Sequence, residues 1–181
     1  MRFAPVAALI TATTLLAATA GGQAATAPKT AVISIQPLSA VFGVYSAEFE
    51  KALAPTLTFG VGGSYWSHSD DVSKTKYTSA DLKLRYYPEA QPFRGFSFGG
   101  QAGYTSVSDE VDYGSGAGSD KTSASGPTIG VALDYSWLLG PTRSFYVGLG
   151  LGAKKIFASN KDVGNATLAY PTAHVSIGYA F

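Results

Sequence analysis

Large apolar side chains alternate with small or polar ones along stretch after stretch of this chain. That two-residue period restricts the chain to extended strands with two unlike faces. In Ile129-Gly130-Val131-Ala132-Leu133-Asp134-Tyr135-Ser136-Trp137 the odd positions are bulky and the even ones hold Gly, Ala, Asp and Ser. The same order runs through Phe145 to Gly152 and through Val175 to Phe181. Upstream, Phe96, Phe98, Ala102 and Tyr104 alternate with Ser97, Gly99, Gln101 and Gly103, and Ala80, Leu82, Leu84 and Tyr86 with Ser79, Asp81, Lys83 and Arg85. Leu57, Phe59, Val61 and Tyr65 form another set, and Tyr45, Ala47 and Phe49 another. The shorter segment Ala31 to Gln36 brings the expected strands to about eight, an even number that returns both chain ends to the same side of a membrane.

The composition of the second face separates a barrel from a secreted sandwich. A sandwich turns its polar face to water and fills it with Lys, Glu, Thr and Ser. Here that face is mostly Gly, Ala and Ser with a few charges, which suits an eight-stranded barrel whose interior has room only for side chains. Aromatic pairs at strand ends, Tyr86 with Tyr87, Tyr135 with Trp137, Phe145 with Tyr146 and Tyr179 with Phe181, read as the girdles of a membrane barrel. In hydrocarbon every backbone N–H and C=O needs a partner, so the sheet must close. The predicted fold is all-β: an eight-stranded antiparallel up-and-down transmembrane β-barrel.

The connections point the same way. Ala54-Pro55, Pro88 to Pro92 and Gly140-Pro141 are short, whereas Ser67 to Lys76, Ser108 to Ser125 and Ala158 to Ala166 are longer and polar. Tight periplasmic turns and extended outer loops alternate in this manner. The first connection, Pro37 to Gly43, departs from the pattern: it is due outside, yet it is short and apolar, which leaves two readings of the first strand, an irregular one or a misassigned one.

At its start the chain has Met1-Arg2 and then an uncharged Ala-, Leu- and Ile-rich run from Ala4 to Ala20. Its apolar core falls short of the ~20 residues of a membrane helix. Small residues at the spacing of signal peptidase follow in Ala18-Thr19-Ala20, Gly22-Gln23-Ala24 and Ala25-Thr26-Ala27, any of which admits cleavage; with Ala24 as the favoured site, residues 1–24 read as a Sec-type signal peptide and residues 25–181 as the barrel domain. No later stretch resembles a membrane helix. The 181 residues carry a net charge of only +1 and 14% charged residues, so composition offers no nucleic-acid partner. Cysteine is absent, which excludes disulfides.

Four segments carry a resemblance: Ile33-Ser34-Ile35-Gln36-Pro37-Leu38, Glu48-Phe49-Glu50-Lys51-Ala52-Leu53, Leu84-Arg85-Tyr86-Tyr87-Pro88, and Ile177-Gly178-Tyr179-Ala180-Phe181. They resemble outer-membrane β-barrel families of uncharacterised proteins, similar in build to OmpA and OmpX. The resemblance spans nearly the whole mature chain and implies a monomer in the bacterial outer membrane, in contact with its lipid and lipopolysaccharide. The terminal Phe181, preceded by Tyr179, Ile177 and Val175, is similar to the signal read by the barrel-assembly machinery, which implies a role for Phe181 and Tyr179 in insertion.

If the apolar positions face lipid, the lumen receives Glu48, Glu50, Asp81, Lys83, Arg85, Gln101, Asp134, Lys154 and His174. Unpaired charge in a confined interior is costly, so these residues are expected to form one polar network that plugs the lumen, with Arg85 pairing Glu48 or Glu50. An aqueous porin needs more strands. A narrow passage for small apolar molecules, as in OmpW-like barrels, needs an apolar lumen or a lateral opening, and this interior looks too charged for it.

An enzymatic reading has two anchors. These are His68, beside Ser67, Ser69, Asp70 and Asp71 in an outer loop, and His174 on the last strand. Either supplies the imidazole for nucleophilic catalysis of the kind lipid A-modifying barrels perform, but no hydrolase motif surrounds them. Gly148 to Lys154 mimics a phosphate loop, yet the alternation runs through it and no hydroxyl follows Lys154. The acidic residues between Ser108 and Ser125 lack metal-loop spacing. The expectation is a non-catalytic barrel without metal or cofactor, serving envelope structure or loop-mediated recognition.

Overall fold

A computed structural model describes residues 28–69, 73–112, 119–160 and 164–181. The expected signal segment lies outside them. The elements are β1 (Ala31–Ile35), α1 (Pro37–Val41), β2 (Tyr45–Ala54), β3 (Leu57–Ser69), β4 (Ser73–Tyr86), β5 (Gly95–Asp112), β6 (Ser119–Leu139), β7 (Phe145–Asn160) and β8 (Gly164–Ala180). Each strand pairs antiparallel with its neighbour in the chain, and β8 returns to β1, closing an up-and-down barrel of eight strands. The seam runs from Val32 opposite Ala180 to Ile35 opposite Ile177. Backbone bonds from Thr30 and Ala31 N–H to the Phe181 carbonyl, and from Phe181 N–H to Ala31, tie the two ends together.

Period-two alternation becomes two surfaces. Outward side chains include Val131, 64% exposed, Leu151, 65% exposed, and Leu82, Leu133, Phe98 and Ile129. Inward ones include Thr58, Thr105, Thr128, Ser97 and Ser136, all buried. Apolar outside and polar inside inverts the plan of a water-soluble protein and suits hydrocarbon as the solvent. On β7 the outward apolar band runs from Phe145 to Ala153, close to the roughly 9–11 residues that a tilted strand needs to cross. Above it the Lys155 ammonium lies 4.9 Å from the Phe157 ring centre.

Three segments expected as long loops are largely strand. β3 and β4 stay paired from Ser67 opposite Lys76 to Ser69 opposite Lys74. β5 and β6 pair through Ser108 opposite Ser123 to Asp112 opposite Ser119. β7 and β8 pair from Ala158 opposite Ala166 to Asn160 opposite Gly164. The residue types of these segments do not keep the apolar–polar alternation, yet the backbone ladder continues through them. β1 is also regular: its register with β2 is unbroken from Ala31 opposite Lys51 to Ile35 opposite Ala47. The irregularity falls instead in β2, where the register with β3 shifts between Ala52 and Ala54.

Candidate functional site

Inside the half of the barrel that holds the termini, the inward positions of β2, β4 and β6 meet. Arg85 lies at the centre. Its guanidinium donates to Glu48, to Glu50 at 2.6 Å and to Asp134 at 3.1 Å. Lys83 donates to the other oxygen of Glu48. The Glu50 carboxylate also accepts from the Thr58 hydroxyl and, at 3.1 Å, from the Tyr87 hydroxyl. His174 Nε2 lies 3.1 Å from Asp134 Oδ1. Further along the axis Lys154 donates to both oxygens of Asp81, at 2.7 and 2.9 Å. Of the nine polar residues expected inside, eight are thus joined in two groups, one around Arg85 and one of Asp81 with Lys154. Gln101 stands apart over Gly130, where an added Cβ would meet its amide nitrogen at 2.6 Å.

Glycine makes this crowding possible. A Cβ at Gly150 would sit 2.0 Å from Asp134 Oδ1 and 2.2 Å from His174 Cε1. One at Gly103 would sit 2.2 Å from the Ala80 carbonyl and 2.3 Å from Asp81 Oδ1.

Below the charges, at the end with the termini, Val32, Phe93, Tyr146 and Ala180 form a buried apolar cluster. Phe93 reaches it from the β4–β5 turn, where its φ of 65° turns the side chain inward to meet Tyr87 with ring centres 6.4 Å apart. Tyr87 and Tyr146 are buried and belong to this interior cluster, not to the outer girdle expected for them. Parity carries the signal: Tyr87 is two positions from Arg85, and Tyr146 two from Gly148. The true outer aromatics include Phe96, Tyr135 and Trp137, with successive ring centres 4.8 and 4.6 Å apart.

The far half of the lumen is different. A cavity of about 600 Å³ opens above the ion pairs, walled by Trp66, Tyr77, Ile156, Leu168 and Tyr170, with Lys83 and Lys154 at its base. The Tyr77 and Tyr170 side chains lie side by side there. None of these aromatics stands out in the sequence, because they lie beyond the apolar alternation that marks the strands.

The two histidines lie in different parts of the barrel. His68 stacks on Trp66 with ring centres 6.1 Å apart, at the far end of β3. Its neighbours Asp70 and Asp71 lie outside the described residues. His174 faces Asp134 deep in the lumen, and among the described residues no hydroxyl is hydrogen-bonded to it. Gly148 to Lys154 is part of β7.

No curated protein matches the sequence. Among solved structures, the chain is similar to the N-terminal β-barrel domain of Pseudomonas aeruginosa OprF, with 15% identity and a TM-score of 0.45 over 85% of this chain and 98% of that one. It is also similar to Acinetobacter baumannii CarO2, with 11% identity and a TM-score of 0.44 over the same shares. A family model described as "Protein of unknown function (DUF3575)" matches residues 8–165, most of the chain, and the protein therefore belongs to that family.

Proposed function

We propose that this protein is a non-catalytic barrel of the bacterial outer membrane, with its lumen plugged at the periplasmic end and its far half turned to the cell exterior. The observation that carries this is the reversal of faces: an apolar outer belt around an inner network whose carboxylates are answered by Arg85, Lys83 and Lys154. Such an interior matches hydrocarbon outside and leaves no reason for water to stream through. The two short turns after β2 and β6, and the joined termini, belong to the periplasmic end. Residues 1–24 direct export and are removed on the way, and Phe181 and Tyr179 serve insertion by the assembly machinery. The barrel acts as a monomer in contact with outer-membrane lipid and lipopolysaccharide.

The test is made on the outer-membrane fraction of cells expressing the full chain. The mature protein is expected there, with an intact mass that begins after Ala24 and a gel mobility that changes on boiling. Steady conductance is expected to be absent in planar bilayers, and the mass of lipid A unchanged on overexpression. Recovery as a soluble periplasmic protein overturns the membrane assignment. Steady conductance overturns the plug, and a lipid A mass shift lost in His174→Ala overturns the non-catalytic assignment.

A further inference from the structure

The barrel wall is not of one height. β1 stops at Ile35 and β2 begins at Tyr45, whereas β8 extends back to Gly164 and β3 runs on to Ser69. From Gly164 to Ser176, β8 has β7 on one side and, among the described residues, no strand on the other. The gap is two strands wide, roughly 10 Å. It starts inside the apolar belt, since Val175, Ala173 and Pro171 of β8 lie opposite Leu149, Leu151 and Ala153 of β7.

α1 sits at the lower corner of the gap. Leu38 and Phe42 share an outer groove with Leu149, Leu151 and Val175, while Gln36 and Ser39 border the inner cavity. Leu38, Val41 and Phe42 are 55%, 78% and 79% exposed, and no charged residue occurs from Ala31 to Ala47. That composition explains the apolar first connection: it stays in the hydrocarbon layer and borders an opening into the lumen.

We propose that the far half of the lumen binds a single-chain amphiphile with an uncharged polar head, which arrives sideways from the membrane through the gap between β8 and β3. The inference rests on the reading of the barrel as membrane-embedded. The cavity, about 600 Å³, is within the range of small-molecule sites, roughly 300–1,000 Å³. Its aromatic and aliphatic wall suits an alkyl chain. A charged head would find its counter-ions engaged, because Asp81 holds Lys154 and Glu48 holds Lys83 and Arg85. The uncovered edge of β8 instead presents backbone N–H and C=O groups within the belt, and in hydrocarbon these need partners. Hydroxyls of a glycerol-type head both donate and accept there. Pro171 on this strand lacks an N–H to satisfy, as befits a strand with an open edge.

The chain has two tryptophans, Trp66 on the cavity wall and Trp137 on the outer surface, so fluorescence can address each separately. Trp137→Phe leaves the first and Trp66→Phe the second. With the full barrel in phosphatidylcholine vesicles, a brominated monoacylglycerol is expected to quench Trp66 saturably. Half-quenching should come at a mole fraction about tenfold below that for Trp137, and unbrominated monoacylglycerol should restore the emission. Ala132→Phe and Thr172→Phe place a ring in the cavity and are expected to abolish the saturable phase while the mobility change on boiling persists. Quenching of Trp66 that rises linearly in step with Trp137 overturns the proposal, as does saturable quenching that survives both filling variants. If neither variant folds, displacement by the unbrominated competitor decides. Brominated phosphatidylcholine that fails to quench Trp137 overturns the membrane reading instead, which keeps the two failures distinct.

Discussion

Arg85 holds three carboxylates, those of Glu48, Glu50 and Asp134, in the buried interior of the barrel. Arg85→Ala strands these charges and is expected to destabilise the barrel by about 3–5 kcal/mol, the cost of breaking a buried ion pair by removing one partner. The measurement is the urea midpoint of folding into vesicles. Adding Glu48→Gln and Glu50→Gln to that variant should recover part of the loss, because the stranded charges then disappear; no recovery would mean that Arg85 acts through packing alone. Arg85→Lys is expected to be costly too, since one ammonium cannot reproduce a fork that addresses three acceptors. Glycine gives a second test. Gly150→Ala would push a methyl into Asp134 and His174 and should cost about 1–3 kcal/mol, whereas Gly100→Ala, with its nearest atom 4.0 Å away, should be nearly neutral. Parity made the inward set legible from sequence, Arg85 with Glu48 and Glu50 among them. The pairing of Arg85 with the acids of β2 was legible too, whereas the approach of Asp134 to Arg85 and of Lys154 to Asp81 was not, because β6 and β7 reach the level of β4 only once the barrel has closed.

Within the elements, the belt on β6 and β7 divides strands into a lipid-facing stretch and a water-facing extension. Leu133→Arg, in the middle of the belt, is expected to lower folding stability in vesicles by about 2–4 kcal/mol, and Leu139→Arg, at the rim, by about 1 kcal/mol or less. Equal costs at the two positions would argue against a hydrocarbon layer around the barrel. Strand extents were the least legible feature. Ser119 to Ser125, 67–69 and 73–76 have the composition of loops, but they lie in β6, β3 and β4 because a neighbouring strand continues beside them and the backbone bonds do not depend on side-chain polarity. Conversely, Pro37 to Gly43 looked anomalous as an outer loop and became α1, whose Ala40, Phe42, Gly43 and Val44 N–H groups find acceptors within residues 36–40. Replacing Leu38 and Phe42 with Ser is expected to leave the barrel folded, by its mobility change on boiling, while lowering protection of the Ser39–Val44 amides from hydrogen exchange, because the apolar groove that seats α1 is lost.

As a whole molecule, the protein is two chambers in series. Near the termini, ion pairs and the Phe93–Tyr146 cluster fill the interior; beyond them lies a cavity open to one side. Truncating the floor with Phe93→Ala and Tyr146→Ala is therefore expected to weaken the seal and raise the rate at which a small ion leaks from loaded vesicles, relative to the unsubstituted barrel. An unchanged rate would place the barrier at the Arg85 network alone. The period-two order of residue types already determined that this chain makes a closed all-β barrel with apolar groups outside, because alternation is a local property of extended backbone and closure follows from the demand that every backbone group be paired. Only the tertiary structure decided that β1 and β2 fall short of β3 and β8, that the aromatics Trp66, Tyr77 and Tyr170 gather above the charges, and that the wall opens beside α1. These depend on which residues stand opposite one another across the sheet, and strand register is not written in the periodicity of any single strand.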